Sequence, residues 1–128
     1  SNFDYFDDIE LTFLISSCQR YHTLWASWAV SQPVQPNVLS KSNVWFGGDT
    51  GYKSVPRGTT DESGLPVCPA FKEIGDRLGP FSFSMIPIGA YDPRFAMSRV
   101  HCSPEDAVEV HCDVKVCGID ITMICAPC

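Results

Sequence analysis

Basic residues are scarce in this chain of 128 residues. Nine Lys and Arg stand against fifteen Asp and Glu, which gives a formal net charge of −6. Phosphate-rich partners call for clustered Lys and Arg. No basic patch is readable here, so we do not expect nucleic acid as a partner. A hydrophobic run long enough to cross a membrane is also missing, and 45% of the residues are hydrophobic. The composition therefore favours a single soluble-type domain.

An N-terminal signal-like segment is missing as well. The chain begins with Ser rather than Met, so we expect a fragment or a processed form whose targeting information was lost with its start.

Seven cysteines leave at least one thiol unpaired. An odd number fits a reducing compartment better than a secreted disulfide scaffold, and the expected location is intracellular. Cys112, Cys117, Cys125 and Cys128 could form a tetrathiolate zinc site. However, residues 119–124 between the two pairs have the pattern of a core strand, so buried or incidental thiols are the preferred interpretation.

Residues 44–52, with the sequence VWFGGDTGY, are the most informative part of the chain. An apolar strand runs there directly into a carboxylate, Asp49, that glycines flank on both sides. Such glycines permit positive φ and a close approach of a ligand or a second backbone. Asp49 is therefore the first candidate functional residue. The alternative is that Asp49 only caps a turn through its side-chain oxygen.

Two chemistries use an aspartate at the end of a strand. In an aspartic protease, two Asp-Thr-Gly segments face each other and their carboxyls share a proton. This chain has one such segment, so a protease of this kind would have to be a homodimer. In a hydrolytic metal site, the carboxylate is one ligand among several, and the metal lowers the pKa of a bound water.

The surroundings of Asp49 favour the metal site. Short motifs occur along residues 11–115 in this order: Thr23 to Trp28, Gly48 to Tyr52, Pro69 to Gly75, Gly79 to Phe81, Ile86 to Arg94, Met97, His101 and Pro104 to Val108. Together they resemble the N-acyl phosphatidylethanolamine phospholipase D group, within the metallo-β-lactamase fold. A co-linear match of many short motifs is more specific than any one of them.

The resemblance implies an α/β fold, the C-terminal half of an αββα sandwich, in which metals lie at one edge between two sheets. It implies a role for Asp49 as the carboxylate that bridges two zinc ions, and hence as a catalytic residue. Tyr91, Arg94 and His101 match segments that line the substrate side, so they become candidate substrate-binding residues. For Arg94, a surface charge or a salt bridge is the equal alternative.

The activity implied is hydrolysis of an N-acyl phosphatidylethanolamine at a membrane surface, with phosphatidic acid and an N-acylethanolamine as products. The protein would then be peripheral to a membrane. A metal-held hydroxide would attack the phosphorus.

The sequence also departs from the family pattern. The zinc motif His-x-His-x-Asp-His is absent, and no histidine occurs after residue 115, where the family has a His-Trp-Gly segment. Asp49 alone cannot hold two zinc ions. We therefore expect the chain as given to be inactive, and the alternative is a remnant or a lipid- or protein-binding module. A Cys/His nucleophile at His101-Cys102 or His111-Cys112 is a weaker alternative, because adjacent side chains point in different directions.

The hydrophobic pattern predicts strands that alternate with helices in one partial domain over residues 1–128. Strands are predicted at residues 11–15, 23–30, 44–46, 81–88 and 119–124. Helices are predicted at 69–78 and from Ser103 onward, with Ser103 as a cap. Residues 53–67 lack periodicity and are predicted to be a surface insertion. Residues 116–128 diverge from the family, and we expect their removal to leave the stability nearly unchanged.

Overall fold

The structure is a computed structural model that describes residues 10–15, 26–32, 43–117 and 121–124. Its elements follow the predicted alternation: β1 (Glu10–Ile15), β2 (Ala26–Ser31), β3 (Asn43–Phe46), α1 (Ala70–Leu78), β4 (Phe83–Pro87), α2 (Arg94–Met97), α3 (Pro104–Asp113) and β5 (Ile121–Ile124). The short helix α2 was not predicted, because four residues are too few to show a helical period. The part of strand β2 predicted at residues 23–25 lies outside the described residues.

The strands of the described residues form one sheet in chain order. β1, β2 and β3 are antiparallel neighbours, whereas β3, β4 and β5 run parallel. Parallel neighbours require crossover connections, and these contain α1 and α3. The two helices contact each other, so they lie on the same face of the sheet. The carboxyl ends of β3 and β4 consequently meet at one edge.

The core lies between the sheet and these two helices. Trp45 of β3 is fully buried, and its ring meets Phe71 of α1 edge to face at 6.0 Å between centroids. Such aromatic pairs contribute about 1 kcal/mol beyond the area they bury. α1 contributes Phe71 and Ile74 to this core, and α3 contributes Ala107, Val110 and Val114.

Ser103 caps α3, as predicted. Its side chain accepts a hydrogen bond from the backbone N–H of Asp106, and the Asp106 carboxylate accepts one from the backbone N–H of Ser103. This reciprocal capping box satisfies two N–H groups that the first helical turn leaves without partners. The sequence suggested the cap but gave no sign of the second task of Asp106, described below.

Cysteine pairing differs from the expectation. Cys68 is disulfide-bonded, a bond that the expectation of a reducing compartment does not include. Cys102, Cys112 and Cys117 are free. Cys125 and Cys128 lie outside the described residues, and the tetrathiolate alternative is therefore not tested.

The sheet continues into the segment that was expected to be dispensable. β5 pairs with β4, and ahead of it the backbone N–H of Cys117 donates to the carbonyl of Phe81 at 2.7 Å. Val116 packs against the core. The divergence of residues 116–128 from the family stays a prediction, but these contacts no longer support unchanged stability on their removal.

Candidate functional site

Asp49 lies in a tight loop just beyond β3, at the edge where the parallel strands end. The N–H of Gly47 donates to the carbonyl of Met85 at 3.0 Å, which ties the loop to β4. Gly48 has φ of 62°, a conformation that disfavours side chains. The Asp49 side chain is exposed, whereas Thr50 and Gly51 behind it are buried. The loop thus presents one carboxylate to solvent from a firmly held backbone.

Residues 98–102 pack directly behind this loop. A Cβ on Gly51 would lie 2.2 Å from the carbonyl oxygen of Ser98, so only glycine allows the two backbones to come this close. The thiol of Cys102 donates to the carbonyl of Thr50 at 3.1 Å, and Cys102 is fully buried. Half-buried His101 lies next to Cys102. The segment that carries His101 therefore contacts the loop that carries Asp49.

Tyr91 lies in the connection that follows β4, at the edge of the sheet where β3 and β4 end. We call residues 89–101 the substrate-side loop, after the role that the resemblance implies. Tyr91 is 36% exposed and Phe95 is 42% exposed. The guanidinium of Arg57 lies over the Phe95 ring, 4.2 Å from its centroid, a cation–π contact. The loop thus displays two aromatic side chains beside the Asp49 edge, of which the sequence singled out Tyr91 alone.

Arg94 lies in a cluster of four charged side chains, Lys53, Glu62, Arg94 and Asp106, which we call the ion-pair cluster. Its Nε and Nη2 atoms donate to the two carboxylate oxygens of Glu62 at 3.0 and 2.6 Å, and Nη2 also donates to Asp106 at 2.8 Å. Lys53 Nζ lies 3.2 Å from the other oxygen of Asp106, which is fully buried. Two cations and two anions balance, so the cluster has no formal net charge.

The pKa values follow from this pairing. Hydrogen bonding to Glu62 raises the pKa of Arg94, with Asp106 adding to the rise, and the same hydrogen bond lowers the pKa of Glu62. Two of the three guanidinium nitrogens of Arg94 are engaged by carboxylates. Its role as a substrate contact stays a prediction, and the ion-pair alternative describes the contacts that the structure shows.

The sequence suggested a salt bridge at Arg94 but gave no signal for its partners. Lys53 and Glu62 fall in the non-periodic segment 53–67, and their partners lie far along the chain. Local patterns carry no information about pairs of such separation. Asp106 falls in the first turn of the helix predicted after the Ser103 cap, and a cap is a local pattern.

Over the described residues, no group of three or more His, Cys, Asp or Glu side chains is placed to hold a metal ion. A zinc site needs three or four protein ligands in fixed geometry. Asp49 is suitable as one such ligand, but the described residues alone do not form the site. Within the same residues, no helix is long and apolar enough to cross a membrane.

Comparison with known proteins agrees with the fold. The model of the Beta-lactamase superfamily domain matches residues 8–119, and the chain belongs to this family. The match includes Asp49 and its flanking glycines, so the Asp-Thr-Gly segment is part of a β-lactamase-type sequence and not of an aspartic protease.

Individual relatives are similar over most of this chain. It is 40% identical over 90 residues, 70% of its length, to the N-acyl-phosphatidylethanolamine-hydrolyzing phospholipase D 1 of Caenorhabditis elegans. It is 39% identical over 99 residues, 77% of its length, to uncharacterised proteins of Mycobacterium bovis and Mycobacterium tuberculosis. These matches cover 19% to 20% of the relatives, so the chain corresponds to about a fifth of their length.

Proposed function

We propose that this chain is part of a metal-dependent phosphodiester hydrolase of the phospholipase D type, and that its substrate is an N-acyl phosphatidylethanolamine. The observation that carries the proposal is the 40% identity to the nematode phospholipase, whose name states that activity. Membership in the Beta-lactamase superfamily supports the hydrolase class.

The geometry supports a role for Asp49 as a metal ligand. Its carboxylate is exposed at the carboxyl edge of parallel strands, where ligands of layered α/β folds gather. Its backbone is held by β4 on one side and by residues 98–102 on the other. In the complete enzyme, zinc would supply a bound hydroxide and neutralise charge on the phosphoryl oxygens. Other ligands would have to come from outside the described residues, so no step of the reaction is assigned to them.

The lipid part of the proposal rests on the substrate-side loop. Exposed Tyr91 and Phe95, with Arg57 stacked on the latter, combine aromatic rings with a cation. Such side chains suit the boundary between lipid headgroups and acyl chains. Peripheral binding to a membrane would bring a phospholipid to the Asp49 edge.

The test compares Asp49→Asn with wild type in a longer version of the protein, one that includes the zinc-ligand segments missing from these 128 residues. We call this version the extended protein. The substitution removes a negative charge and keeps the shape, so metal content and hydrolysis of N-acyl phosphatidylethanolamine should fall together, hydrolysis by about a hundredfold or more. Metal content is measured by elemental mass spectrometry and hydrolysis by release of the N-acylethanolamine.

Asp76→Asn is the matched control. It makes the same chemical change on exposed α1, where Asp76 pairs with Lys115, and an exposed ion pair contributes little. Unchanged metal content and activity in Asp49→Asn would contradict the proposal. The 128-residue chain by itself should show no hydrolysis. Vesicle binding without hydrolysis in the extended protein would favour the binding-module alternative, and proteolysis at acid pH that Asp49→Asn abolishes would restore the protease alternative.

A further inference from the structure

The segment predicted as an insertion, residues 53–67, is closed at its base. Lys53 and Val67 form an antiparallel bridge, and the N–H of Cys68 donates to the carbonyl of Tyr52 at 2.8 Å. Both ends of the segment are therefore fixed immediately after the Asp49 loop and immediately before α1. Any part of the molecule that contacts this segment is thereby linked to the Asp49 loop and to α1.

Besides the ion pair of Lys53 with Asp106, four contacts of the segment fall on residues 94–99 of the substrate-side loop. They are the carboxylate of Glu62 on Arg94, the guanidinium of Arg57 on the Phe95 ring, the N–H of Val55 on Ser98 Oγ at 2.9 Å, and Ser54 Oγ on Arg99 Nε at 2.9 Å. Val55 and Ser98 are buried. The contacts thus combine an ion pair, a ring contact and hydrogen bonds over six consecutive residues.

The substrate-side loop has little regular structure with which to hold itself. α2 is a single turn of four residues, in which the N–H groups of Met97 and Ser98 donate to the carbonyls of Pro93 and Arg94. Ala90 has φ of 53°, a strained conformation that persists only where the surroundings impose it. Isolated helices this short are unstable in water, so the position of this turn depends on what packs against it.

Glu62 is the residue on which the charge balance of this contact depends. Without its carboxylate, Arg94 and Lys53 would share the single buried carboxylate of Asp106, and the cluster would carry an excess positive charge. The bidentate geometry also fixes the plane of the Arg94 guanidinium, at the first residue of α2. Removal of this one charge should therefore loosen the turn.

We propose that residues 53–67 are a brace that sets the position of the substrate-side loop, and that Glu62 is its positioning residue. The description of the loop as substrate-side depends on the proposed function, whereas the brace itself does not. In the complete enzyme, the brace would govern how well the lipid substrate is bound at the edge beside Asp49.

The first experiment measures amide hydrogen exchange in the 128-residue chain. In Glu62→Gln, the amides of residues 96–101 should exchange about tenfold faster than in wild type, since loss of a charge-assisted hydrogen bond costs about 1.4 kcal/mol. Glu73→Gln is the matched control, because it breaks the exposed Glu73–Arg77 pair on α1. It should leave the exchange of residues 96–101 unchanged.

A second variant separates loosening of the loop from unfolding of the chain. Arg57→Ala removes the cation over Phe95 from an exposed position and leaves the ion-pair cluster intact. It should raise exchange in residues 94–97 by about threefold, the value of a modest cation–π contact, without changing exchange in α3. Unchanged exchange of the loop in both variants would overturn the proposal, as would a uniform rise throughout the chain in both.

The second experiment measures kinetics in the extended protein. Glu62→Gln should raise KM for the lipid by about tenfold and leave kcat within about twofold, because binding is disturbed while Asp49 is not. An equal loss in kcat with unchanged KM would contradict a positioning role. If wild type itself has no activity, the proposed function fails, whereas faster exchange in Glu62→Gln would still support the brace.

Discussion

The carboxylate of Asp106 shows how much one residue can connect. It accepts a hydrogen bond from the capping residue Ser103 and lies within ion-pair distance of Lys53 and Arg94. A fully buried carboxylate is tolerated only where such partners replace water. The capping task could be predicted from Ser103-Pro104-Glu105-Asp106, because caps are local. The ionic task could not, because it depends on chain segments that only the fold brings together.

The buried thiol of Cys102 should be unreactive in the folded chain. Burial, and then the nearby Asp106 charge, raise the pKa of its thiol to about 12, so the thiolate is scarce at pH 8. Cys112 and Cys117 are exposed and free. Iodoacetamide at pH 8 should therefore modify these two and leave Cys102 unmodified in the folded chain, as peptide mass spectrometry will show. Rapid modification of Cys102 would contradict its position behind the Asp49 loop.

The same raised pKa makes stability depend on pH. The folded chain retains this proton where an unfolded thiol, with a pKa of about 8.5, has lost it. The stabilisation is present below pH 8.5 and is lost as the pH rises towards 12. In Cys102→Ala, this part of the alkaline loss should be missing from denaturant titrations.

Among the elements, the strands and the two longer helices were predictable, and the short helix α2 was not. α1, α3 and the strands follow from apolar spacing, caps and β-branched runs. α2 and the convergence of residues 53–67 on it do not, because side chains such as Ser98 and Glu62 are polar and their partners are distant. The same holds for the candidate site. Asp49 could be identified in the sequence from its neighbouring glycines, whereas the residues that hold its surroundings in place could not be identified from any local pattern.

The close contact between α1 and α3 requires a glycine at position 75. Alanine in a helix interior is normally favoured over glycine by about 1 kcal/mol. At Gly75, however, a Cβ would lie 2.1 Å from the carbonyl oxygen of Asp113, and such overpacking costs about 1–3 kcal/mol or more. Gly75→Ala should therefore lower the free energy of unfolding in urea.

Gly64→Ala provides the control for this substitution, because nothing lies within 4 Å of its added Cβ. It should leave stability within about 0.5 kcal/mol of wild type or raise it slightly. A stabilised Gly75→Ala would show that the two helices are farther apart than described.

Over the whole molecule, the sheet has one face covered by α1 and α3 and another that is not covered by them. Register places Trp28, Phe46 and Met85 in one row and Val30, Val44 and Phe83 in the next. These side chains are half-buried or exposed. An αββα sandwich packs its second sheet on such a face. The fold class could be predicted from the alternation of elements and from the resemblance. The register of the strands could not be predicted from the sequence.

Removal of residues 116–128 tests the extent of this sheet. The truncation deletes β5 and the contacts of Val116 and Cys117 with Phe81, so we expect the free energy of unfolding to fall by about 2–4 kcal/mol. Urea denaturation followed by tryptophan fluorescence measures the change. Removal of residues 125–128 alone separates the effect of losing β5 from that of losing the residues after it. Unchanged stability in the longer truncation would restore the expectation that the segment is dispensable.

The closed base of residues 53–67 also makes the tip of this segment useful to the experimenter. Because Lys53 and Val67 pair across the base, a label at the tip need not disturb the flanking elements. The space around Gly64 is open. A fluorophore carried by a side chain substituted at Gly64 would therefore be tolerated without added residues beside Glu62, and it would report on the surroundings of the ion-pair cluster.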